Sequence, residues 1–203
     1  LVRVKSSDAA PTVAQIMAAN AISWSDAASS KEFKNLLPAT DYQFFYIADD
    51  TFGNISDVSV KTVTTFDTVA PTLVTTDPIA GAIDVPSDGG TVTITLTFDE
   101  NVLPASTGVV TVRDFATNGI LKTYGPSSLV GSGGKSLKLV LSNLLNSTSG
   151  ATKLYVEISK GIITDAAQPT PNPFAGVFGS SGIYFTTEDN QAPTVVKASS
   201  TSG

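Results

Sequence analysis

Apolar and polar residues alternate along much of the chain with a period of two, which predicts β-strands rather than helices. The clearest run is residues 91–98, in which Thr alternates with Val, Ile and Leu. This pattern is typical of a strand with one buried face. Asn118-Gly119 separates two other alternating runs and indicates a tight hairpin. Further strands are predicted at residues 109–115, 120–124, 136–141, 153–158 and 182–187.

The first third of the chain has a weaker pattern of the same kind. A turn is predicted at residues 50–54, because Asp, Gly and Asn are residues that turns favour. Residues 12–20 predict one short helix. Strands are predicted at residues 1–5, 32–35, 42–49 and 58–65.

A repeated segment divides the chain. Residues 67–74 read Asp-Thr-Val-Ala-Pro-Thr-Leu-Val, and residues 189–196 read Asp-Asn-Gln-Ala-Pro-Thr-Val-Val. Each copy follows the end of an alternating run, and its proline suits a junction or a sheet edge because proline lacks a backbone donor. We therefore expect each copy to open a new domain. The expected pieces are residues 1–66, 67–188 and 189–203.

Composition narrows the functions open to the chain. Its 203 residues include no Cys and no His, which excludes Ser–His–Asp and Cys–His catalysis and most zinc or copper sites. The net charge of −6 disfavours binding to nucleic acid or to anionic membranes. No apolar run reaches the roughly 20 residues that span a bilayer. The sequence therefore predicts no enzyme, no nucleic-acid partner and no membrane insertion.

The middle of the chain carries a family resemblance. Its opening residues are Thr76-Asp77-Pro78, Ala82-Ile83-Asp84-Val85-Pro86 and Thr93-Ile94-Thr95-Leu96-Thr97-Phe98-Asp99-Glu100-Asn101-Val102. Its closing residues are Gly161-Ile162-Ile163-Thr164-Asp165-Ala166-Ala167 and Ile183-Tyr184-Phe185-Thr186-Thr187. Together they resemble a bacterial Ig-like domain family that is common in surface-layer proteins and large adhesins. The Pro-rich residues 168–173 make the closing loop longer than is usual in that family.

Residues 11–66 resemble a fibronectin type III-like module. The segments that carry this likeness are Leu37-Pro38-Ala39-Thr40-Asp41-Tyr42 and Ala48-Asp49-Asp50-Thr51-Phe52-Gly53-Asn54-Ile55-Ser56. Ala39 stands where that family usually has Gly. The first strands of such a module are missing and the chain opens at Leu1, so we expect a fragment of a longer protein.

The two resemblances imply an all-β fold class of tandem Ig-like and fibronectin type III-like β-sandwiches. They also imply a structural spacer or stalk of a large repeat protein that is secreted or displayed on the cell surface. Its partners would be neighbouring modules of the same chain, other copies in a filament, or a surface glycan or protein. Two alternatives stay open: a ligand-binding adhesin module for glycan or protein, and accessory domains of a secreted hydrolase.

Acidic residues at the predicted domain ends suggest calcium as the one candidate cofactor. Calcium takes six to eight oxygen ligands, and carboxylates from loops of two touching domains can supply them. Acids are also common at turns because they hydrogen-bond locally. The candidate ligands are Asp67, Asp77, Asp99, Glu100, Asp165, Glu188 and Asp189.

Two further sets of residues bear on surface function. Asn54 and Asn146 open Asn-x-Ser/Thr tripeptides, which are glycosylation acceptors only in a eukaryotic secretory pathway. Aromatic side chains can stack on sugars, but Trp24 and the aromatic residues 44–46 and 52 are expected to pack in cores and turns instead.

Overall fold

The protein is described by a computed structural model that covers residues 2–5, 9–18, 32–50, 52–87, 90–131, 133–145 and 150–195. Trp24 and Asn146 lie outside the described residues. The chain divides into two compact units. The first comprises Leu1–Val69 with Ala167–Pro169, and the second comprises Ala70–Ala166 with Thr170–Gly203.

The first unit contains a three-stranded antiparallel sheet of β1 (Val2–Lys5), β2 (Asp41–Tyr46) and β3 (Ser59–Thr64), with β2 in the middle. These three strands confirm the strands predicted at residues 1–5, 42–49 and 58–65. Tyr42 and Phe45 of β2 are both buried.

One helix of six residues, α1 (Val13–Ala18), confirms the helix predicted from the sequence. Thr12 and Gln15 begin it with a reciprocal capping pair, in which Gln15 N donates to Thr12 Oγ1 at 3.3 Å and Thr12 N donates to Gln15 Oε1 at 2.8 Å. Ile16 is the buried residue of this helix.

The strand predicted at residues 32–35 is wrong, because that segment is outside any sheet. Asn35 has φ +58°, a left-handed conformation that interrupts an extended strand. The segment leads instead into a turn, where Leu37 N donates to the Tyr42 hydroxyl oxygen at 3.0 Å. A tyrosine at the start of a strand that bonds back to the upstream backbone is a known corner motif of β-sandwich domains.

The second unit is built from two five-stranded sheets. One sheet centres on a long strand, β6, which pairs with three of the others. The strands of this sheet are β4 (Leu73–Asp77), β6 (Val92–Pro104), β9 (Leu129–Val130), β10 (Gly134–Leu141) and β12 (Ile163–Asp165). The strands of the other sheet are β5 (Ala82–Val85), β7 (Val110–Asp114), β8 (Ile120–Tyr124), β11 (Lys153–Ile158) and β13 (Ile183–Thr187). They lie in the order β5-β13-β11-β7-β8.

A single hydrophobic core joins the two sheets of the second unit. Alternate residues of β6 point into it, and Val92, Ile94 and Leu96 are completely buried. The facing sheet contributes residues such as Val156 and Phe185. Side chains from both sheets therefore form one core, which is the arrangement of a β-sandwich.

In each unit, a pair of threonines joins the end of the last strand to the start of its antiparallel neighbour in the same way. In the first unit, Thr40 N donates to Thr65 Oγ1 at 2.9 Å, and Thr65 N donates to Thr40 O at 3.0 Å. In the second unit, Thr152 N donates to Thr187 Oγ1 at 3.1 Å, and Thr187 N donates to Thr152 O at 3.0 Å. We call these four residues the closing threonines.

The sheet around each pair of closing threonines also has the same topology. β2 pairs antiparallel with both β1 and β3, as β11 pairs antiparallel with both β7 and β13. The residue after the first threonine pairs with the residue before the second one in both units, Asp41 with Thr64 and Lys153 with Thr186. The two units therefore end in equivalent three-strand arrangements.

The described residues form an all-β fold whose larger unit is a β-sandwich, as the alternation and the family resemblance both predict. Across the described ranges, the helices are all too short or too polar to pass through a bilayer.

Candidate metal centre

The residues Phe98-Asp99-Glu100 lie midway along β6, beside the N-terminal part of the second unit. Asp99 is bound to Thr72, the residue just before β4. Thr72 N donates to Asp99 Oδ1 at 2.8 Å, the Thr72 hydroxyl donates to Asp99 Oδ2, and Asp99 N donates to Thr72 O at 3.1 Å. The hydroxyl and amide of Thr72 lower the pKa of Asp99, because both stabilise the carboxylate.

Glu100 and Asp165 are brought close together by the pairing of β6 with β12. Asp165 lies opposite Val102 in this ladder, so Glu100 is its diagonal neighbour two residues along β6. One carboxylate oxygen of each lies within 4.8 Å of the other. Glu100 is half-buried and Asp165 is 1% exposed. The two side chains form a largely buried acidic pair.

Asp165 also closes the Pro-rich loop that follows it. Its Oδ1 accepts a hydrogen bond from Asn172 N at 2.7 Å, and its Oδ2 accepts one from Asn172 Nδ2 at 2.7 Å. Asp165 N donates to Asn172 O at 3.1 Å. Since three hydrogen bonds join the ends of the loop, the carboxylate of Asp165 has a fixed orientation.

The acids at the end of the second unit, Glu188 and Asp189, accept hydrogen bonds from residues of the same unit. Glu188 Oε1 accepts hydrogen bonds from Ser87 N at 2.8 Å, from the Ser87 hydroxyl at 3.2 Å and from Asn190 Nδ2 at 3.2 Å. These donors lower the pKa of Glu188, with the Ser87 amide the largest cause. Asp189 is exposed, and its Oδ1 accepts a hydrogen bond from Gln191 N at 2.9 Å.

The two remaining candidates are Asp77 and Asp67. Asp77 is the exposed last residue of β4 and pairs with Thr95, away from Glu100 along β6. Asp67 is a half-buried residue near the end of the first unit, and its Oδ1 accepts a hydrogen bond from Val69 N at 3.0 Å. Asp67 and Asp189 therefore form the same local turn, in which a carboxylate accepts from the amide two residues ahead.

The arrangement of Glu100 and Asp165 offers the oxygen donors that a hard cation such as calcium prefers. Calcium at the domain ends stays a prediction. The sequence also did not indicate Asn172 or Ser87, whose contacts orient Asp165 and Glu188. The only available signal for Asn172 was its place in a loop bounded by an acid and several prolines.

The turn at residues 50–54 positions Asn54 and Phe52. Asp50 Oδ1 accepts hydrogen bonds from Phe52 N and Asn54 N, both at 2.9 Å, and Asp50 Oδ2 accepts one from Asn54 Nδ2 at 2.7 Å. Asn54 is exposed, and its modification stays a prediction. The expected packing of Phe52 is wrong: its side chain is 89% exposed, because the turn points it outward.

Part of the chain matches a known protein family. The family model of the bacterial Ig-like domain matches residues 67–187, which is more than half of the chain. This range contains both sheets of the second unit. A search of curated proteins found no match.

Proposed function

Because the chain belongs to the bacterial Ig-like domain family, we propose that it is a structural spacer segment of a large extracellular or cell-surface repeat protein. Domains of this family are usually extracellular or displayed on the surface, and they are typically non-catalytic. We propose the spacer role and the tandem arrangement in addition to this family membership.

The repetition of one junction carries the proposal. Each unit ends in a pair of closing threonines, and each pair is followed by the same turn, at Asp67 in one case and Asp189 in the other. The sequence Ala-Pro-Thr follows both turns. A chain that ends successive units identically and continues into the same segment is consistent with a tandem array.

The first unit supports the same proposal as a fibronectin type III-like module. Tyr42 is the second residue of its central strand, and its hydroxyl accepts a hydrogen bond from Leu37 N as in the corner motif of sandwich domains. Its three strands pair antiparallel in the same order as β7, β11 and β13 in the Ig-like domain. Two related sandwich modules in series would form a spacer with a surface rich in Ser and Thr.

We further propose that calcium binds at the start of the Ig-like domain and stiffens the array. The close pair of Glu100 and Asp165 supports this, since two carboxylates can share a divalent cation. Backbone carbonyls and waters would complete the ligands.

Small-angle scattering of residues 1–203 with calcium and then with chelator tests both proposals. We expect an extended particle that becomes more flexible when calcium is removed. The variant Asp165→Asn should scatter like the chelated protein in calcium, whereas Asp77→Asn, a control that changes an exposed acid at the end of β4, should respond to calcium like the natural sequence.

The other outcomes separate the two proposals. An extended particle that ignores the chelator would contradict the calcium site and leave the spacer intact. A compact particle in both conditions would contradict the spacer. It would favour a ligand-binding adhesin module, for which the 89% exposed Phe52 at a fixed turn would be the first residue to test.

A further inference from the structure

We propose that residues 191–195 are a docking strand for a following sandwich of the same type, and that Thr194 binds a carboxylate on the long strand of that sandwich. This inference rests on the tandem array proposed above and identifies the contact that would join its successive members. It concerns the second copy of the repeated segment, which the Ig-like domain itself does not use.

The first copy shows what the segment does when it is docked. Pro71 is buried, and Leu73 is half-buried and pairs with Phe98 of β6. Between them, Thr72 makes three hydrogen bonds to Asp99 through its amide, hydroxyl and carbonyl groups. The threonine therefore fixes the register of β4 on β6 with both its side chain and its backbone.

The second copy of the repeated segment begins with the same turn, but the residues after the turn are exposed. The turn at Asp189 matches the turn at Asp67, with amide-to-carboxylate distances of 2.9 Å and 3.0 Å. Pro193 and Thr194 are nevertheless exposed, and Val195 is 94% exposed. The same sequence after the same turn is thus buried in one copy and open in the other.

Contacts upstream hold the second copy in position. Glu188 accepts three hydrogen bonds from Ser87 and Asn190, and Asn190 Nδ2 also donates to the Ser87 hydroxyl at 3.1 Å. Since Ser87 is only 3% exposed, these contacts join residues 188–190 to the body of the domain. The segment after them leaves from a fixed point.

The chemistry of the segment defines its partner. Thr194 would offer an amide and a hydroxyl donor side by side, which together match the two oxygens of one carboxylate. Val195 would then add to a strand beside that carboxylate, as Leu73 adds to β6. The partner is therefore a sheet edge with an aspartate in the place of Asp99, which a following Ig-like domain provides.

An extended chain tests the contact directly. Residues 74–188 are appended after Val195, so that Thr194 takes the place of Thr72 in a second Ig-like domain. Hydrogen exchange is measured on the peptide that spans the new junction between Val195 and the appended residue 74, because this sequence occurs once in the extended chain. We expect the Thr194 amide to be protected, and protection to be lost in Thr194→Ala and in Asp99→Ala of the appended copy. Each change should also lower the melting temperature of the appended domain by about 2–6 °C.

The control is the natural chain with Thr68→Asn, Val69→Gln and Leu73→Val, which places the second copy of the segment in front of β4. It should fold, and Thr72→Ala should lower its melting temperature as much as it does in the natural sequence. An appended domain that fails to fold, or a control that fails to fold, would overturn the inference. A folded appended domain with an unprotected Thr194 would overturn it too, while leaving the spacer function to the scattering experiment.

Discussion

The last strands of the two units, β3 and β13, are closed by the same hydrogen bonds but are buried to different degrees. β3 is exposed along all six residues, whereas β13 alternates buried and half-buried residues. The positions two residues before the closing threonine show the contrast best. Val63 is 43% exposed and Phe185 is 1% exposed. Hydrogen-bonded closure of a sheet therefore does not depend on how well the sheet is covered.

The neighbours of each strand explain the difference. β13 lies between β5 and β11 and faces the strands of a second sheet through the common core. Within the described residues of the first unit, β3 pairs with β2 alone. The backbone ladder contributes similarly in both places, so the difference in stability should come from apolar burial.

The largest effect is expected from truncating the two matched apolar positions. Phe185→Ala removes a large side chain from the centre of the core and should cost about 3–5 kcal/mol of unfolding free energy. Val63→Ala changes an exposed side chain and should cost less than about 0.5 kcal/mol. Denaturant unfolding, followed by hydrogen exchange on peptides from each unit, measures both values. Comparable losses at the two sites would mean that β3 is covered in solution.

A smaller effect is expected from the closing threonines. Thr187→Val keeps the shape of a fully buried residue but leaves Thr152 N without its acceptor, and it should cost about 1–3 kcal/mol. Thr65→Val removes the same bond from Thr40 N, and also the bond that the Thr65 hydroxyl donates to Leu37 O at 2.6 Å, but water can replace the hydroxyl at this half-buried site. The cost there should be smaller. Equal costs in the two units would show that the bond itself, and not its burial, determines the contribution.

The smallest effect is expected at the contact between Thr72 and Asp99, and it should depend on pH. The pKa of Asp99 is lowered by Thr72, so the contact stabilises the fold fully above the ordinary aspartate pKa of about 4 and is lost as the pH falls through the lowered pKa of the folded protein. Thr72→Ala should therefore lower the melting temperature by a few degrees at pH 7 and by progressively less as the pH is lowered below about 4. The control is Thr75→Ala, an exposed threonine on β4. A constant difference across this pH range would contradict a role for the carboxylate.

The sequence predicted most strands because the alternation is strong where one face is buried. β11 was predicted with its bounds. The hairpin at Asn118-Gly119 was predicted because Asn-Gly favours positive φ, and Asn118 has φ +59° in the structure. The alternation of apolar and polar residues did not predict the shortest strands. β12 has three residues, too few to show a period of two.

The candidate site was harder to predict because it depends on long-range pairing. The sequence identified Glu100 and Asp165 as acids near domain ends, but nothing local distinguished them from Asp77. Their proximity depends on the register of β12 on β6, which joins residues about 60 positions apart. The partner of Asp99 was unpredictable for the same reason, since Thr72 lies 27 residues away.

The parallel pairing of β5 with β13 has a mechanical consequence. The pairing joins Ala82 to Phe185 and Val85 to Thr187, and it is bounded by the bonds Gly81 N to Tyr184 O and Glu188 N to Val85 O. Tension from the N-terminal side first loads β4, which pairs with β6. Once that pairing has given way, tension from both ends pulls β5 backward and β13 forward along their common direction. The bonds between them are then sheared together instead of opening one after another. A short parallel pair can therefore set the force at which such a domain yields, through the rate of unfolding and not through its equilibrium stability.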